Sequence, residues 1–72
     1  MSTIVQTIHE IMLRCDVTYG ALAAASAISP STARVVMLTG ELPQQPGPRR
    51  RLEKFAAINA AAKTRGDLRF VP

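Results

Sequence analysis

Residues 18–40 read TYGALAAASAISPSTARVVMLTG, and the fold turns on how this stretch is parsed. Thr18 has the hydroxyl of a helix N-cap, able to accept from amides that find no acceptor inside the helix. It predicts an alanine-rich helix over roughly Tyr19–Ser26. Ala27-Ile28 then leads into Ser29-Pro30-Ser31-Thr32, a strong helix-start signal. Ser29 caps the free amides, and Pro30 at the first helical position sacrifices no hydrogen bond. A third helix runs to about Thr39, where Gly40 can adopt the left-handed conformation that ends it. The stretch is therefore two short helices joined by a tight turn.

A helix over about Thr3–Arg14 precedes it. Thr3 and Gln6 have capping-box spacing, and Ile4, Val5, Ile8, Ile11 and Met12 form one apolar stripe. Cys15-Asp16-Val17 breaks that pattern. Downstream, Glu41–Pro48 holds three of the five prolines and is expected to be irregular. A fourth helix is expected from near Pro48 to about Arg65, stopped by Gly66. Leu52, Phe55, Ala56, Ile58 and Ala62 share one face of it, and Asn59 in that stripe needs a buried partner. In Asp67–Pro72, Leu68 and Phe70 alternate with Arg69 and Val71 as in a short strand. A lone strand is unstable, so its expected partner is its copy in a second subunit. The expected architecture is all-α, with a four-helix domain over 1–66 and a C-terminal dimerisation strand or tail over 67–72.

Composition supports a small domain that leans on tight packing. Of 34 apolar residues among 72, 11 are alanine, so large core anchors are few. Domains this short bury only about 60% of their unfolded surface, which favours self-association. One cysteine and one histidine supply neither an internal disulfide nor a four-ligand zinc site. No metal or cofactor is expected. The longest mostly apolar run, Ala21–Ile28, is under half of the roughly 20 residues a membrane span needs. The N-terminus lacks the basic-then-apolar order of a signal peptide. The expectation is a cytoplasmic protein with no membrane partner.

The net charge of +4 is unevenly placed. Residues 1–48 carry −1, whereas residues 49–72 carry seven bases against Glu53 and Asp67, or +5. Such asymmetry points to a polyanionic partner or to a solvated helix face.

Residues 18–40 resemble the helix-turn-helix of phage Cro and C1-type repressors, and Leu22-Ala23…Ala27-Ile28-Ser29-Pro30-Ser31-Thr32 carries the likeness. The resemblance implies that Ala23 sits where the two helices pack most closely. It implies that Ile28 enters the core and that Leu22, Ser26, Ala33 and Val36 complete the inward set. It also implies a homodimer in a bacterial host cell that binds duplex DNA, with the helix from Pro30 in the major groove. Positions facing DNA would be Ser29, Pro30, Ser31, Arg34, Val35 and Leu38. The sequence departs from the family pattern in three places, one being that its DNA-facing positions hold a single bidentate base-reading group. Ala27 stands where the turn usually has glycine, and Ala33 stands where a β-branched residue is usual.

Arg34 is the one bidentate base-reading group in that helix. Ser29, Ser31 and Thr32 could bond phosphates or bases, and Val35 could touch thymine methyls. Met37 and Leu38 either pack beneath the proline-rich loop or join Val35 in an exposed apolar patch of the kind that binds proteins. Arg49-Arg50-Arg51 at the start of the fourth helix is either a phosphate anchor, a contact to an acidic protein, or a solvated helix start. Thr18 and Tyr19 are further contact candidates, with Tyr19 equally suited to helix-start packing. Leu68 and Phe70 are the dimerisation candidates. His9 reads as a surface residue and Cys15 as helix-end packing. No nucleophile–base set, paired carboxylates or glycine-rich phosphate loop is present, so an enzyme is not expected.

Two function classes follow. One is a DNA-binding transcriptional regulator of phage-repressor type. The other is the same scaffold turned to protein binding, for example an anti-activator that blunts a host regulator such as one of quorum sensing. A dimerising accessory domain is a third, blander option.

Overall fold

The computed structural model describes residues 2–72, which form an all-α domain of four helices. These are α1 (Thr3–Cys15), α2 (Tyr19–Ser26), α3 (Pro30–Thr39) and α4 (Pro46–Asn59), followed by a single 3₁₀ turn, Arg65–Asp67. No β-strand occurs among the described residues.

Local capping chemistry sets most of the boundaries. The hydroxyl of Thr18 accepts from the Ala21 amide at 3.1 Å, and that of Ser29 accepts from Thr32 at 3.1 Å. At α1 the cap is Ser2 rather than Thr3: its hydroxyl accepts from the Val5 amide at 3.0 Å. The Ser2 amide also donates to the Gly40 carbonyl, which ties the start of α1 to the end of α3. Gly40 itself is left-handed, with φ of 77°.

α4 begins two residues earlier than the prolines suggested. Pro46 and Pro48 occupy its first turn, where amides have no helical acceptor, so the missing N–H groups cost nothing. The Arg49 amide, donating to the Gln45 carbonyl at 3.2 Å, is the first that the helix needs.

α4 also ends at Asn59, six residues short of the expected Arg65. Arg14, far away on α1, donates to the carbonyls of Ala60 at 2.9 Å and Ala62 at 3.0 Å. These carbonyls are thereby satisfied outside any helix. Asn59 is fully buried, and its side chain meets the expected need for a partner. Its Nδ2 donates to the carbonyls of Phe55 and Arg69, and its Oδ1 accepts from the Arg69 amide at 2.6 Å.

That clasp explains why residues 67–72 are not the expected strand. The segment folds back on its own domain, and the Val71 amide donates to the Ala25 carbonyl at 2.8 Å. Ala25 lies in the last turn of α2, where carbonyls lack helical donors. Leu68 and Val71 pack against the core, whereas Phe70 stays 65% exposed. The 3₁₀ turn before the tail is held by Asp67, whose carboxylate accepts from the Lys63 and Thr64 amides. Those bonds hold its pKa below the ordinary value of 3.8.

The core is built from Val5, Ile8, Ile11, Leu22, Val36, Leu52 and Phe55, all essentially fully buried. Small residues let the helices approach: Ala23, Ala25 and Ala33 are buried between them. α2 is central, packing on both α3 and α4. Ser26 is buried with a hydroxyl that finds no partner among the described residues.

Two predictions follow from this architecture. Ala27 holds φ of 59°, a conformation that costs an L-residue with a Cβ roughly 1–2 kcal/mol. Ala27→Gly should therefore stabilise the domain by about 1 kcal/mol, read as a higher midpoint in urea denaturation with an unchanged slope. Asn59→Ala strips the tail of its clasp and leaves backbone groups of Arg69 unpaired. It should cost about 2–3 kcal/mol and speed hydrogen exchange at the Arg69 and Val71 amides.

Candidate functional site

The inward set expected of residues 18–40 is inward. Leu22, Ala23, Ser26, Ala33 and Val36 are each at most 2% exposed. Ile28 is half-buried and packs against the core. The chain bends by 115° between α2 and α3, across only Ala27, Ile28 and Ser29. The bend is closed by backbone bonds. The Ala27 amide donates to the Ala23 and Ala24 carbonyls, and the Ile28 amide donates to Ala23 at 3.0 Å. Left-handed Ala27 makes this closure geometrically possible.

With Ala33 and Val36 turned inward, helical periodicity puts residues 31, 34, 35 and 38 on one outward strip of α3. Ser31 and Arg34 are exposed, Val35 is 57% exposed and Leu38 is 65% exposed. Arg34 has no hydrogen bond or ion pair among the described residues, so its guanidinium is available to a partner. Ser29 and Thr32 are less free. Their hydroxyls bond each other at 2.8 Å while Ser29 caps the helix. Thr18 is likewise engaged at the α2 cap, and Tyr19 beside it is 40% exposed.

Met37 and Leu38 do not share one environment, and neither is shown beneath the proline-rich loop. Met37 is half-buried against the core, while Leu38 projects outward. The segment after α3 adds residues that sequence reasoning did not select. Leu42 and Pro43 face Thr32, Val35 and Thr39 across an open groove of about 370 Å³. Their signal was available: two apolar residues directly after a helix-ending glycine must fold over that helix or stand exposed.

The arginine cluster lies on the first turns of α4, whereas the strip belongs to α3, which packs chiefly on α2. Arg49 sits 3.8 Å from Glu53 in an exposed i,i+4 pair, a weak contact with the basic residue on the less favourable, N-terminal side. Arg50 and Arg51 are exposed and make no ion pair among the described residues. A second open groove, of about 850 Å³, lies between α4 and the tail. Lys54, Ile58, Arg69 and Phe70 are among its lining residues.

Among the described residues no three His, Cys, Asp or Glu side chains cluster as metal ligands would. No single helix is long and apolar enough to cross a membrane. The chain matches no protein-family model, no curated protein and no solved structure.

Proposed function

We propose that this chain is a small helix-turn-helix regulator that binds duplex DNA as a homodimer, with α3 in the major groove. One observation carries the reading: a three-residue turn bends the chain by 115° and leaves an outward strip on the second helix around Arg34, which has no partner among the described residues. Helix pairs that read DNA in this way cross at about 90–120°. The N-terminal residues of the second helix approach base edges, and charged groups outside it hold phosphates. Arg34 is the base reader in this arrangement, and Arg50 and Arg51 are phosphate anchors, joined by Arg49 once its weak pair with Glu53 yields.

The domain measures 29 × 24 × 19 Å, small enough for two copies to sit side by side on one face of a duplex. Successive major grooves on that face lie about 34 Å apart. Phe70, the exposed aromatic of the tail, is the apolar group proposed to join the copies.

A specific observation favours a second reading. Val35 and Leu38 put apolar surface where a DNA reader usually carries polar groups, and the adjoining groove offers Leu42 and Pro43. The same strip could then take an apolar segment of a host protein, as an anti-activator does.

Fluorescence anisotropy with labelled duplex at about 50 mM salt, where phosphate contacts are strongest, separates the two. DNA binding is expected, with affinity falling steeply as salt rises. Arg34→Ala should relax sequence preference while nonspecific affinity survives. Replacing Arg49, Arg50 and Arg51 together by alanine should lower the salt slope by about two to three. No binding at low salt leaves the protein-partner reading in its place. Phe70→Glu should convert a dimer to a folded monomer by light scattering; an unchanged mass removes Phe70 from the interface.

A further inference from the structure

The outward strip of α3 is chemically lopsided. Over Pro30–Thr39 it holds no asparagine or glutamine, the side chains that read adenine through paired hydrogen bonds. It holds no aspartate or glutamate to accept from the cytosine amino group, and so nothing that repels phosphate. What it presents is one guanidinium, Arg34, one hydroxyl, Ser31, and two exposed branched side chains, Val35 and Leu38. Both are more than half exposed, Leu38 at 65% and Val35, at the edge of the groove with Leu42 and Pro43, at 57%.

Resting on the DNA-binding reading above, we infer that α3 reads thymine C5-methyl groups through Val35 and Leu38, beside a guanine read by Arg34. In the major groove the methyl group is the apolar feature of a base pair, and guanine offers N7 and O6 to a guanidinium. Arg34 and Val35 are consecutive, and Leu38 lies one helical turn beyond Arg34. Four residues of helix advance about 6 Å, and stacked bases rise about 3.4 Å. The guanine and the thymines therefore fall within about two to three base pairs of one another in each half-site. Charge complementarity favours DNA over an apolar protein segment for this strip. Its charged group is cationic, and the +5 of residues 49–72 stands in the same small domain.

The test starts from a library of duplexes with a randomised core, enriched on the full chain at about 50 mM salt. The enriched duplex is then synthesised with deoxyuridine for thymine, which deletes the methyl and keeps base pairing. Each methyl lost should weaken binding about fourfold. 7-Deazaguanine at the conserved guanine should weaken it about tenfold or more. In the Val35→Ala/Leu38→Ala variant, whose circular dichroism should match the parent, the deoxyuridine and thymine duplexes should bind alike. That loss of sensitivity is not something a general loss of stability would produce. Sequence-selective binding indifferent to deoxyuridine overturns the methyl reading and leaves the DNA-binding reading standing. Failure to enrich any duplex overturns both.

Discussion

The left-handed residue at Ala27 is the constraint from which the rest of the molecule follows. Only with φ positive there can the amides of Ala27 and Ile28 both close on the last turn of α2. That closure bends the chain by 115° within three residues. It directs Ala33 and Val36 inward against α2, and so puts the residues around Arg34 outward. Alanine tolerates the conformation less well than glycine, because its Cβ crowds the following carbonyl oxygen.

The tail braces the same corner from the other side. Val71 donates to Ala25, two residues before the left-handed position, and Asn59 holds Arg69 so that Val71 reaches it. Arg65 reaches across to the Asp16 carbonyl at 2.7 Å, where α1 ends in its own left-handed residue. The segment that looks like a spare strand is thus an integral strap over the helix ends. Phe70 is the large apolar side chain within it that stays exposed.

Legibility followed the range of the interactions. The α2 and α3 caps, the Pro30 start and the Gly40 stop were all readable, because each is a contact between residues at most four apart. Ser2 rather than Thr3 caps α1, and Ser2 is also the residue whose amide bonds the Gly40 carbonyl, a link that local spacing does not show. Asn59 announced itself as a polar residue in an apolar stripe, although its partner, the backbone of Arg69, did not. The outward strip on α3 was legible from periodicity once the inward set was known. The groove beside it was not, because the path of Leu42 and Pro43 depends on the helix they fold over.

Local chemistry alone therefore dictated the number of helices, most of their boundaries and which face of each meets the core. A hydroxyl finding an amide three residues on, or a glycine taking positive φ, needs no other part of the chain. Tertiary structure decided where α4 stops and where the tail goes. Arg14 meets Ala60 and Ala62 across 46 and 48 residues, and Arg65 meets Asp16 across 49. Alanines 60–62 have the propensity to continue a helix. They leave it because a guanidinium brought close by the fold supplies donors for their carbonyls, and no local pattern encodes that proximity.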